Sequence, residues 1–106
     1  MSEADKQWGA RLKQARLAAG LSQKTLGIEA GIDEFVASTR INRYELGVHK
    51  PDLLTSKKLA AVLDVPMAFF YTDTDDEVAQ WLLAYWRAGA EARARALEVL
   101  SQEPQA

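Results

Sequence analysis

Leu21-Ser22-Gln23-Lys24-Thr25-Leu26-Gly27-Ile28-Glu29-Ala30-Gly31-Ile32 and, further on, Arg40-Ile41-Asn42-Arg43-Tyr44-Glu45-Leu46-Gly47 are the two stretches that decide the fold. Ser22 stands where a helix needs an N-cap, because its hydroxyl can accept a hydrogen bond from an orphan amide of the first turn. Leu26 and Ile32 are apolar where two helices must share a core. Gly27 is small enough for the next helix to approach closely, and Gly31 can take the positive φ of a tight turn. Asp33 is the next N-cap candidate, for a third helix running to about Leu46 and stopped by Gly47. The polar set of that helix is Ser38, Thr39, Arg40, Asn42 and Arg43. Two short helices joined by a glycine turn, the second polar and basic, are how a small protein offers a helix to the major groove of duplex DNA.

Outward from these stretches, the apolar periodicity is helical throughout. Trp8, Leu12, Ala15 and Ala19 recur at helical spacing between the charged Arg11, Lys13 and Arg16, and Gly20 ends that first helix. Leu53, Leu54, Leu59, Val62 and Leu63 form a fourth apolar pattern, with Lys57 and Lys58 outward. Pro66 fits the N1 position of a short fifth helix that places Phe69, Phe70 and Tyr71 in the core. Thr72-Asp73-Thr74-Asp75-Asp76 reads as a solvated break whose acids suit the start of the next helix. Val78, Trp81, Leu82, Tyr85 and Trp86 then recur at helical spacing, Gly89 interrupts, and Ala92, Ala96, Leu97 and Leu100 continue. The expectation is an all-α chain: a five-helix DNA-binding domain over 1–72 and a C-terminal helical extension over 73–106.

The bulk properties narrow the function. There is no Cys among the 106 residues and one His, His49, in a loop. Disulfides, thiolate zinc sites and Cys nucleophiles are thereby removed, and a lone loop His lacks the further ligands a zinc site needs. No cofactor or metal is implied. The first residues form no signal peptide and no segment is long and apolar enough to span a membrane, so a cytoplasmic location is expected. The net charge of −2 is unevenly spread: the first 71 residues carry +2 and the remainder −4. The local field at a contact helix governs DNA binding more than the total does.

Leu17, Leu21, Ser22-Gln23, Leu26-Gly27, Ala30-Gly31, Ile41-Asn42-Arg43-Tyr44-Glu45, Gly47, Pro51, Leu59-Ala60, Leu63 and Val65-Pro66 form an ordered set. It resembles the helix-turn-helix of the phage repressor and Cro-like (XRE) family, from about Ala10 to Phe70. The spacing from Gly31 to Glu45, fourteen residues, is longer than that family's usual spacing by roughly one helical turn. The inference is a third helix extended at its N-terminal end, within 33–37.

The residues then take candidate roles. Arg can bind guanine O6 and N7 in bidentate fashion and Asn can do so with adenine. The resemblance implies base-reading positions at Ser38, Thr39 and Arg43, with Arg40 and Asn42 nearby; Asn42 has phosphate binding as its alternative. Ser22, Gln23 and Lys24 open the second helix, whose N-terminal amides suit a phosphate, and the resemblance gives Gln23 the added task of bracing the recognition helix. His49 and Lys50 are candidates for phosphates beyond the third helix. Arg16 and Glu45 resemble the family's buried ion pair, which is structural. Tyr44 is expected to pack on its neighbours.

The tail residues Val78, Trp81, Leu82, Tyr85 and Trp86 either cover the core or form an intermolecular face, and self-association is the favoured reading because short helix-turn-helix modules act as dimers. The functional expectation is a sequence-specific regulator, most simply a repressor, bound as a homodimer to an inverted-repeat operator. The alternative is an antitoxin-like autoregulator whose tail binds a partner protein. An enzyme is not expected: the chain holds no Gly-rich phosphate loop and no constellation of catalytic residues.

Overall fold

The computed structural model of the chain describes residues 2–73 and 76–102. Among the described residues six α-helices follow in order: α1 (Glu3–Ala18), α2 (Gln23–Glu29), α3 (Ala37–Leu46), α4 (Leu53–Leu63), α5 (Asp76–Arg87) and α6 (Ala90–Gln102). A 3₁₀ helix, Met67–Tyr71, lies between α4 and α5, and no strand occurs among the described residues.

The helices begin and end for local reasons. Ser2, Ser22 and Asp52 cap α1, α2 and α4, their side-chain oxygens accepting from the backbone N–H of Asp5, Thr25 and Thr55 at 3.0, 3.0 and 2.7 Å. Such a cap contributes about 1 kcal/mol. Gly20 and Gly47 follow α1 and α3 with φ of 71° and 77°, the left-handed conformation that closes a helix without a Cβ penalty. Asp64 takes the same conformation after α4 at φ 54°, and there the Cβ cost is borne.

Trp8 and Leu12 of α1, Leu26 of α2, Ile41 of α3, Leu59 and Leu63 of α4, and Phe69 and Phe70 converge in one core. Burial of each such side chain stabilises by roughly 1.5–3 kcal/mol. Trp8 and Phe70 meet with ring centroids 4.8 Å apart. Two glycines set the helix crossings. A Cβ on Gly27 would lie 2.7 Å from Cβ of Ala37, so α3 approaches α2 as closely as the sequence suggested. A Cβ on Gly9 would lie 2.4 Å from the carbonyl oxygens of both Tyr44 and Glu45, which brings α1 onto the end of α3.

Several expectations are corrected. The third helix is not extended: it begins at Ala37, and the extra residues form a turn. Asp33 is not its N-cap. The Asp33 carboxylate accepts from the Phe35 N–H at 2.8 Å and its carbonyl from the Val36 N–H at 3.1 Å. This local bonding competes with helix formation. Tyr71 is 58% exposed and outside the core. Leu53 and Leu54 of the fourth apolar pattern are exposed. Pro66 precedes the 3₁₀ helix as its N-cap instead of occupying its first position. Thr72, placed in a solvated break, is buried and donates its hydroxyl to the Phe69 carbonyl at 2.7 Å. Thr74 and Asp75 of that break, like 103–106 of the extension, lie outside the described residues.

The tail is joined to the body at few points. Arg11, charged yet buried, donates to Asp76 at 3.1 Å and to the Asp73 carbonyl, and its guanidinium lies 5.7 Å from the centre of the Phe69 ring. Trp86 donates its indole N–H to Asp64 at 3.0 Å. Arg93 of α6 donates to the Tyr85 and Trp86 carbonyls, each at 2.7 Å, so it closes the end of α5 and fixes the α5–α6 corner. Ala79 is the buried residue of α5, and α6 has none among the described residues. The radius of gyration, 15.6 Å, exceeds the roughly 13 Å of a compact chain of this length.

Candidate nucleic-acid interface

α3 divides cleanly into two faces. Ala37, Ile41, Tyr44 and Glu45, at helical spacing, face inward. Ser38, Thr39, Arg40, Asn42 and Arg43, the whole predicted base-contact set, are exposed together on the rest of the surface, with Leu46. Among the described residues neither Arg40 nor Arg43 is held in an ion pair. The two guanidinium groups therefore keep their donors for an external acceptor.

A polar network ties this helix to α1 and α2. Arg16 Nε donates to Glu45 Oε2 at 2.6 Å and its Nη2 to Oε1 at 3.1 Å, a two-point pairing of buried side chains. Arg16 Nη1 also donates to the Leu21 carbonyl at 3.0 Å. Hydrogen bonding to Glu45 holds the guanidinium pKa above its ordinary value, against the opposing effect of burial. Gln23 Nε2 donates to Glu45 Oε1 and to Asn42 Oδ1, each at 3.1 Å. The expected ion pair and the expected bracing Gln thus meet in one cluster, with Asn42 as its outermost member.

Tyr44 packs in the core, and burial raises its phenol pKa against the opposing charge of Arg40. Ser22 spends its hydroxyl on the cap of α2 and a bond to Thr25 Oγ1 at 2.9 Å. Lys24 is exposed on the first turn of α2. His49 is exposed, and its backbone N–H is tied to the Arg43 carbonyl at 3.3 Å. Lys50 leans away from this cluster: its ammonium lies 5.9 Å from the centre of the Tyr71 ring, beside the first turns of α1.

Sequence reasoning missed the roles of Arg11 and Gly9. Arg11 shares the inward face of α1 with Trp8, Leu12 and Ala15, and that periodicity was the available signal. For Gly9 the sequence offers no signal, since the close approach depends on the path of α3. Among the described residues no cluster of His, Asp and Glu could hold a metal ion, and no helix is long and apolar enough to cross a membrane.

A polar, basic helix braced from behind by a buried ion pair and packed on a second short helix defines a DNA-binding regulator of transcription. Residues 12–70, more than half the chain, match the helix-turn-helix family model, and the chain belongs to this family in its XRE form. Among solved structures it is similar to the crystal structure of transcriptional regulator BswR. The two share 44% sequence identity at a TM-score of 0.84, over 90% of this chain and 93% of that one. No curated protein matches the sequence significantly.

Proposed function

We propose that the chain is a sequence-specific repressor that places α3 in the major groove and acts as a homodimer on an inverted-repeat operator. The observation that carries this reading is the exposed polar face of α3, held rigid by the Arg16–Glu45–Gln23–Asn42 cluster. Arg43, with Ser38 and Thr39, reads base edges, and Arg40 flanks them. Asn42 has its Oδ1 engaged by Gln23, so it offers its amide N–H groups to a phosphate. Lys24 supplies the main phosphate charge beside Ser22 and Gln23, and His49 extends that contact. Lys50 contributes less, since it must first leave Tyr71. Repression requires only that the bound protein occlude the polymerase.

The body, 1–72, binds DNA, and the extension, 73–106, holds two copies together. Support for this division comes from the exposure of Val78, Trp81, Tyr85 and Trp86 along α5 and of Leu97 and Leu100 on α6. Leu82 is half-buried, and its neighbour Leu83 packs against the core. Trp81, Tyr85, Leu97 and Leu100 line an apolar cleft of about 550 Å³ between the two helices, with Ala88, Ala92 and Ala96 along its floor. α6 has 13 residues, and an isolated helix shorter than about 12–15 residues is marginal in water. A second copy packed on this cleft supplies the missing burial. The antitoxin-like alternative uses the same cleft for a foreign protein, and a second polypeptide that co-purifies in fixed ratio would favour it.

The test is selection of bound duplexes from a random pool by the full chain at near-physiological salt. An inverted repeat with half-site centres about 34–36 Å apart, or a multiple, is expected. A pool that stays random overturns the proposal.

A further inference from the structure

The turn that replaces the expected extension of α3 carries the most exposed large apolar side chain of the described residues, Phe35, at 88% of its full accessibility. The turn is well tied. Asp33 binds the N–H groups of Phe35 and Val36, and the Val36 carbonyl accepts from the Arg40 N–H at 2.9 Å, inside the first turn of α3. Phe35 is thus fixed two residues ahead of the recognition helix, at the end that meets base edges first in a helix-turn-helix complex. The turn carries Asp33 and Glu34 and no cation. It gains nothing from a phosphate ridge, where its acids would be repelled. An apolar ring has one attractive mark in the major groove, the C5-methyl of thymine.

We infer that Phe35 is a specificity-determining residue that packs on a thymine methyl in the major groove at the Ser38–Thr39 end of α3; this rests on the groove reading proposed above. The four-residue turn then widens the half-site by an apolar contact while leaving the electrostatic part of binding unchanged.

The experiment uses the selected duplex, with each thymine replaced in turn by uracil, which lacks the methyl, and compares the wild-type chain with Phe35→Ala and Arg43→Ala. The wild type is expected to bind about fourfold more weakly at one thymine per half-site, the worth of one buried methyl. Phe35→Ala should bind the thymine and uracil duplexes equally and keep the wild-type salt slope, because no phosphate contact is lost. Its exposed position leaves the fold intact, which a melting curve checks. Retention of the uracil penalty in Phe35→Ala, absence of any sensitive thymine, or a reduced salt slope overturns the inference while DNA binding stands. If no duplex is selected, or if Arg43→Ala binds the selected duplex as the wild type does, the failure lies in the groove reading, and the inference falls with it.

Discussion

The helix-turn-helix body and the α5–α6 tail use their aromatic side chains in opposite ways. In the body Trp8, Phe69 and Phe70 are buried against one another, and each helix contributes apolar residues to a shared core. In the tail Trp81, Tyr85 and Trp86 remain exposed on a segment of opposite net charge. The body completes itself, whereas the tail displays the raw material of an interface. The charge difference matters too: an acidic tail is repelled by phosphate, which in the proposed complex keeps the association surface off the DNA and leaves α3 to the groove.

The comparison breaks most severely at the ion pair inside the body. Glu45→Ala leaves the Arg16 guanidinium buried with the Leu21 carbonyl as its remaining acceptor. Loss of one partner of a buried pair costs about 3–5 kcal/mol, and the Gln23 brace goes with it. The expected outcome is a large fall in the thermal midpoint accompanied by lost DNA binding, although Glu45 is buried on the inward face of α3. A variant with wild-type stability would show that the body does not depend on this cluster.

The tail should respond differently. Trp81→Ala combined with Tyr85→Ala removes two aromatic rings from the cleft while taking little from the core, since both are exposed in the single chain. Interface anchors of this kind are worth about 2 kcal/mol or more each. Sedimentation should show a monomer with unchanged helix content and a nearly unchanged midpoint. A variant that unfolds would instead place these rings in the core and erase the contrast between the two regions.

At the DNA face the effects are smaller and separable. Arg43→Ala should weaken binding by about 1–3 kcal/mol and relax preference at one base position. Lys24→Ala should weaken binding to all sequences alike and lower the salt slope by about one. Titrations on matched and scrambled duplexes at two salt concentrations distinguish them. Equal weakening by Arg43→Ala on both duplexes would reassign that residue to the backbone.

How much of this was legible in the sequence depended on whether a feature is local. The caps at Ser22 and Gly20 and the close approach at Gly27 follow from residue type and position, and so they could be read. The Arg16–Glu45 pair needed the resemblance, because twenty-nine residues separate its members. The start of α3 differs from the expectation because Asp33, a residue type that suits an N-cap, instead folds its carboxylate back on the Phe35 amide. The periodicity of α1 puts Arg11 on the inward face, but its charge partners, the Asp73 carbonyl and Asp76, lie more than sixty residues away and could not be read. Tyr71 was assigned by its apolar neighbours, yet a 3₁₀ helix of five residues turns Phe69 and Phe70 inward and leaves Tyr71 outside under Lys50.

The smallest effect concerns the cap that starts α4 just beyond the recognition helix. Asp52 accepts from the Thr55 N–H at 2.7 Å, and that bond, with a further one from the Thr55 side chain, lowers its pKa from the ordinary 3.8. A depressed carboxylate pKa means that the unfolded chain binds the proton more readily than the folded one. The contribution is therefore complete above roughly pH 5 and is lost as pH falls past 3.8 and through the lowered value. Asn is also a competent N-cap but does not titrate. Asp52→Asn should match the wild type most closely at pH 3 and fall below it at pH 5, as measured by denaturant midpoints. The same substitution removes a negative charge that raises the Tyr44 pKa, so the ultraviolet titration of Tyr44 should move down. Parallel midpoints at both pH values, with an unmoved Tyr44, would mean that the Asp52 charge bears on neither the cap nor the inward face of α3, and would restrict the coupling of the DNA-binding helix to its contacts with α1 and α2.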